Sequence, residues 1–136
     1  KTILLMINYF SKYKFIFYIS NFTLIFLYLY PDSLFGCIFY NDCKLQPKIT
    51  RDFIFSANHF YAFVIFSIIS FLTFIRSNRI KLYLYLIFLS IVLEILHYFI
   101  PERSFEFSDL FGNFFGVILI IILFYFFRKN EKFKNH

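Results

Sequence analysis

Between Glu94 and Gly116 the chain reads Glu94-Ile-Leu-His97-Tyr-Phe-Ile-Pro101-Glu102-Arg103-Ser104-Phe-Glu106-Phe-Ser108-Asp109-Leu-Phe-Gly112-Asn113-Phe-Phe-Gly116. Carboxylates, an imidazole, a guanidinium and an amide are gathered into a sequence otherwise dominated by Phe, Ile and Leu. In hydrocarbon an ionised carboxylate costs ~2.5–3.5 kcal/mol on insertion scales, so it has to be paired, protonated or hydrated. Glu94 has His97 and Arg103 as available partners, and a guanidinium is suited to phosphate recognition. Two readings follow from this chemistry. Glu94, Asp109 and Asn113 act as hydrogen-bonding glue between helices, at about 0.6 kcal/mol per bond, or they line a polar pocket for a lipid or glycan head group.

The elements that position these groups are two helices and a short loop. Pro101 ends the first helix, because proline lacks the N–H of a helix interior and restricts the residue before it. Ser108 is expected to cap the second, with Asp109 in its first turn facing the positive end of the helix dipole. Glu94 and His97, three apart, share a face of the first helix. At ~100° per residue, Asp109, Gly112, Asn113 and Gly116 fall on one face of the second. The short loop makes the helices antiparallel neighbours and lets the two faces meet. Gly112-x-x-x-Gly116 is a small-xxx-small pattern, read as helix packing that brings Asp109 and Asn113 within reach of Glu94.

Composition places this pair of helices in a membrane. The 136 residues suit one domain, residues 1–136, and 25 Phe with 60% hydrophobic content exceed what a soluble core of this size could hide. An all-α integral membrane bundle of four transmembrane helices is expected, with spans at about 13–30, 53–75, 82–100 and 109–127. Phe15–Tyr30 is slightly short for a span, so its helix is expected to begin before Phe15 with Lys12 and Lys14 snorkelling. The span is expected to be retained, since no small-residue cleavage site follows it. The chain starts at Lys1 without a Met, so sequence upstream is expected as well.

Of the fourteen Lys and Arg, ten fall on one side of this layout: Lys1, Lys12, Lys14, Arg76, Arg79, Lys81, Arg128, Lys129, Lys132 and Lys134. Lys44, Lys48, Arg51 and Arg103 fall on the other. The positive-inside rule therefore gives cytoplasmic termini, N-in and C-in. In that orientation His59, Glu94, His97 and Asn113 all lie in the outer half of the membrane, with Arg103 above them. The net charge of +6 reflects orientation and contact with anionic lipid, and no nucleic-acid partner is expected, because the basic residues flank apolar runs. Cys37 and Cys43 lie in the long polar segment on the expected outer side, where thiols oxidise, and are candidates for a disulfide.

The run Glu94-x-x-His97, Pro101-x-Arg103-Ser104 and Asp109-x-x-x-Asn113-x-x-Gly116 resembles the signature of the VanZ-like family of small bacterial membrane proteins. That family more often has Gln where His97 stands. It often opens an earlier helix with Asp-Lys-x-x-His, whereas here Phe55 and Ser56 precede His59. The resemblance implies about four membrane helices in the bacterial cytoplasmic (inner) membrane. It also implies an envelope protein of the kind whose named member is linked to resistance to the glycopeptide teicoplanin.

Three functions are weighed. The first is a non-enzymatic accessory protein of the envelope, with Glu94, His97, Arg103, Asp109, Asn113 and His59 binding an outer-leaflet head group. The second is a structural subunit packing through its apolar helices against other membrane protein subunits. The third is an acid/base enzyme on a lipid-linked substrate, using Glu94 and His97. One Glu-x-x-His is only half of a di-iron pattern. His59, His97 and Glu94 are zinc-ligand types, but no dense Cys/His spacing backs them. No metal or other cofactor is expected. Ser90 and His97 are ~10 Å apart along one helix, too far for a nucleophile and its base.

Overall fold

The computed structural model describes residues 2–52, 54–75 and 78–134. Lys1 and Arg76, counted above for orientation, and Phe53, the expected start of the second span, lie outside them. The side chains of Arg128, Lys129, Lys132 and Lys134 do so too. The described residues are helical or irregular, without a strand: α1 (Thr2–Lys12), α2 (Phe15–Leu29), α3 (Leu34–Tyr40), α4 (Ala57–Thr73), α5 (Arg79–Leu96), a 3₁₀ turn at His97–Phe99 and α6 (Phe107–Lys134).

Among the described residues, two stretches are long and apolar enough to cross a membrane, Arg79–Phe99 and Phe107–Phe127, each of 21 residues. A third arises only if α2 and α3, which meet at 82°, are taken as one broken span or a re-entrant loop. At 17 residues, α4 is ~25 Å long at 1.5 Å per residue, shorter than the expected 53–75. Its first turn starts late because Asp52 Oδ1 accepts the Ala57 N–H (3.2 Å) and the Asn58 amide holds Pro47 O (2.6 Å) and Ile49 N (3.0 Å). These contacts anchor the preceding loop as loop.

The amino-terminal region departs from expectation. The helix over Phe15–Leu29 does not extend back through the lysines; the chain breaks at Tyr13 and Lys14 and α1 is a separate helix, packed on α4. At the other end of α2, Pro31 prevents continuation. Asp32 takes a left-handed conformation (φ 68°), and the Ser33 hydroxyl accepts the Gly36 N–H (3.0 Å) to cap α3. The long polar segment thus contains a helix, closed at Asn41 (φ 52°). A Cβ on Gly36 would fall 1.9 Å from Leu45 O, so the return chain lies directly on α3, and Cys37 is disulfide-bonded to Cys43.

The core is built around α4. Its Phe63 and Phe66 meet Phe17, Leu24 and Tyr28 of α2, the Leu82, Leu86, Leu89 and Leu93 stripe of α5, and Val117 and Ile120 of α6. The leucine spacing of four, three and four is that of one helical face. Helices α4 and α6 run parallel in direct backbone contact: a Cβ on Gly112 would meet Ser56 O at 2.7 Å, and one on Gly116 would meet Phe60 O at 2.7 Å. The glycine pair therefore packs α6 against α4 rather than α5. The Ser56 N–H donates to Ser108 O (3.0 Å) at the start of that seam. Phe22, Phe99, Phe126 and Phe127 point outward, as suits side chains that face lipid.

Candidate functional site

Five elements converge at the end of the bundle where α4 and α6 begin and α5 ends. They are Tyr28 of α2, His59 of α4, Ser90 and Glu94 of α5, His97 of the 3₁₀ turn, and Asp109 and Asn113 of α6. Glu94 and Asn113 are fully buried, and His97, His59 and Tyr28 nearly so. Asp109 is partly exposed.

Glu94 Oε1 is met by His97 Nδ1 at 3.2 Å and by the Glu106 backbone N–H at 3.1 Å. His97 Nε2 lies 3.1 Å from the Tyr28 carbonyl. A carbonyl only accepts, so Nε2 carries a proton. Oε1 accepts the Glu106 N–H, and Nδ1 and Oε1 share the one proton that lies between them. The spacing of three residues on one helix produces the Glu94–His97 pair. The 3₁₀ tightening at His97 turns the ring toward α2.

His59 stands between two carboxylates. Its Nε2 is 3.4 Å from Asp109 Oδ2 and its Nδ1 is 3.8 Å from Glu94 Oε2. Neither His59 Nδ1 nor Glu94 Oε2 has a hydrogen-bond partner, although both are buried. Asn113 lies beside His59, with its Oδ1 accepting the Tyr28 hydroxyl at 2.6 Å and its Nδ2 donating to Ser90 O at 3.2 Å. Ser90 Oγ donates to Ile87 O, which removes it from nucleophilic chemistry. Tyr28 is the residue that sequence reasoning missed. Its ring packs 5.0 Å from that of His59 and 5.9 Å from that of His97. A hydroxyl in an apolar span needs a partner, and that need was the available signal.

Arg103 is not bonded to Glu94. Its Nε donates to Tyr30 O (3.2 Å) and its Nη2 to Asp32 O (2.8 Å), clamping the α5–α6 loop to the α2–α3 turn. These two bonds leave three of the five guanidinium N–H groups free of those carbonyls. Ser108, expected as the N-cap of α6, lies inside the helix. The Asp109 and Leu110 N–H groups donate to Glu106 O instead, and the Ser108 carbonyl is taken by Ser56.

Beside the cluster, between α2, α3 and α4, lies a cavity of about 410 Å³. Leu24, Leu27, Phe35, Phe39 and Ile65 make it predominantly apolar, and His59, His97 and Arg103 share its wall. Such a volume falls in the range of small-molecule sites, in which a few polar groups orient a mainly apolar ligand. The cavity exists because the α2–α3 bend carries α3 away from α4, and the Asn58-anchored loop closes over the gap.

No curated protein and no solved structure matches the chain at significant similarity. The VanZ/LLP1 family model matches residues 2–128, a range that runs from α1 into α6 and holds every residue of the cluster. With nearly the whole length matched, and two helices long and apolar enough to cross a membrane carrying the Glu94 and Asp109 motifs, the chain is a membrane protein of the VanZ/LLP1 family.

Proposed function

We propose that this VanZ/LLP1 protein is a non-enzymatic accessory protein of the bacterial cell envelope that binds an amphiphile, a lipid or lipid-linked glycan with an anionic head group, at the outer leaflet of the cytoplasmic membrane. The carrying observation is the cavity: apolar walls from α2, α3 and α4, with His59, His97 and Arg103 among the residues that line it. The apolar walls take the chain of the ligand. The free guanidinium hydrogens of Arg103 and the two imidazoles take its head group. A four-span, N-in and C-in arrangement, with α2–α3 as a broken span and α4 as a short one, puts these groups on the outer side. The acid/base reading has less support, because Glu94 stands behind the two histidines and is not among the residues lining the cavity.

Ala62 lines the cavity on α4, and Ala62→Trp fills it without touching the polar cluster. Native mass spectrometry of protein extracted in mild detergent should show a retained anionic lipid in the parent chain, lost in Ala62→Trp and weakened in Arg103→Lys. Equal retention in all three would defeat the proposal. Constant stoichiometric partners with no retained lipid would instead favour a structural subunit of a larger assembly.

A further inference from the structure

The cluster contains an arrangement that the amphiphile site does not use. One ligand atom each from His59, Glu94 and Asp109 lies within 4.8 Å of the others. We propose that these three residues bind one divalent transition-metal cation of the zinc type beside the cavity.

Three features carry this assignment. First, His59 Nδ1 and Glu94 Oε2 are buried, without hydrogen-bond partners, and 3.8 Å apart. That separation is too long for a hydrogen bond, and too short for a bridging water, which at a tetrahedral angle wants roughly 4.5 Å between its partners. A cation with bonds of ~2.1 Å at a tetrahedral angle holds its donors roughly 3.4 Å apart. His59 faces Glu94 through Nδ1 and Asp109 through Nε2, and one nitrogen serves one ion, so a carboxylate has to swing round the ring edge and the trio, now within 4.8 Å, draws in. Second, the charges admit a cation. Glu94 and Asp109 bring two carboxylates to this end of the bundle; His97 faces the first, His59 Nε2 and the Ser108 hydroxyl face the second, and Arg103 is held by the Tyr30 and Asp32 carbonyls instead of by either carboxylate. Third, Glu94 is braced as a ligand should be: His97 Nδ1 and the Glu106 N–H fix Oε1 and leave Oε2 turned toward His59.

One imidazole and two carboxylates suit zinc and its first-row neighbours better than magnesium or calcium, which prefer all-oxygen sites. Three protein ligands leave a fourth position open. Because His59 is on the cavity wall, the cavity supplies a path for the ion. From the sequence no metal is expected, and the zinc-ligand types weighed are His59, His97 and Glu94. The structure turns His97 to Tyr28 and puts Asp109 in its place.

The test uses the full chain in detergent micelles or nanodiscs, equilibrated with Zn²⁺ and then desalted. Elemental analysis should give about one zinc per chain, and Co²⁺ in its place should give visible d–d absorption. Asp109→Asn and His59→Gln should lose the bound metal while keeping helix content and a monodisperse elution profile. His97→Gln should keep the stoichiometry and weaken affinity by about 10–100-fold, as loss of a group bracing a ligand does. If His59→Gln fails to fold, the parent chain with Co²⁺ still decides. A folded parent chain with less than about 0.1 zinc and no d–d bands, or an Asp109→Asn variant that binds as the parent does, overturns the proposal.

Discussion

The two ends of the helical bundle solve the same packing problem in opposite ways. Toward the α1–α2 break and the α4–α5 connection, helices meet mainly through rings and aliphatic chains, with the Tyr85 hydroxyl donating to Asn21 Oδ1 (2.7 Å) as a hydrogen bond between α5 and α2. Phe17 stacks on Phe66 at 5.7 Å and meets Phe74 edge-on at 4.8 Å, and Phe71 stacks on Phe124 at 4.7 Å. At the other end the same helices bury a carboxylate, two imidazoles, an amide and a phenol, joined by bonds that mostly run between elements. The aromatic end needs one neutral hydrogen bond between helices and buries no ionisable pair, so packing alone does not account for the cluster of carboxylate and imidazoles at the other end. In lipid, moreover, apolar side chains gain little from leaving the solvent, and contact between rings has to carry the aromatic end.

That contrast yields an ordering of mutational effects. Glu94→Ala should be the most damaging single change, since it strands His97 and the Glu106 N–H together. Breaking one partner of a buried pair costs about 3–5 kcal/mol, and thermal unfolding in a fixed detergent is the measurement. Phe66→Ala, a change of comparable size at the aromatic end, should cost less than the roughly 3–5 kcal/mol typical of a water-soluble core, because the transfer contribution is largely absent. A larger loss for Phe66→Ala than for Glu94→Ala would reverse the reading of the two ends.

Gly112→Ala comes next. Its Cβ would meet the Ser56 carbonyl oxygen at 2.7 Å and His59 Cβ at 3.2 Å, so backbone has to move, at about 1–3 kcal/mol for an overpacked contact. The shift would displace His59, so this variant should lose stability and cavity ligand together. Tyr28→Phe is smaller: it removes the hydroxyl from Asn113 and keeps the ring between the histidines. One interhelical bond in a membrane is worth about 0.6 kcal/mol and at most ~1.7. A loss much above that would mean that the phenol supports the whole cluster through Asn113.

The two ends also differ in how far the sequence reveals them. The Glu94–His97 pairing follows from a spacing of three on a helix, and the Gly112–Gly116 pair declares a close helix approach. Neither the choice of α4 as its partner nor the parallel course of α4 and α6 can be read locally, since both depend on how distant segments fold back. Arg103 illustrates the same limit. A cation in a loop above a buried carboxylate invites pairing by charge, yet unsatisfied carbonyls left by the Pro31 break captured it first. The α2–α3 bend was within reach of local rules, because Pro31 followed by Ser33 and the apolar run Leu34–Tyr40 reads as a stop, a cap and a new helix. The polar residues on either side masked it. Tyr28 was hidden among eleven tyrosines, most of which serve as amphipathic surface.

The smallest effect is expected outside both ends, where Lys48 and Asp52 form a hydrogen-bonded ion pair four residues apart in the loop that enters α4. Asp52 also accepts the Ala57 N–H at the helix start. The hydrogen bond from Lys48, joined by that backbone N–H, holds the Asp52 carboxyl below its usual value of 3.8. Because the folded value is the depressed one, the stabilisation is present above the unfolded pKa and is lost as pH falls through the folded one. Lys48 is raised from 10.5 by the same bond, so its share is present below 10.5 and disappears as pH rises through the folded value. Both side chains are well exposed and screened by salt, so Asp52→Asn should leave the melting temperature nearly unchanged at neutral pH and flatten its decline in acid. A carboxyl-detected NMR titration should place the Asp52 midpoint below 3.8 and return it toward 3.8 in Lys48→Met. An unchanged midpoint in that variant would assign the depression to the Ala57 N–H alone, making Asp52 an anchor of α4 rather than an ion-pair partner.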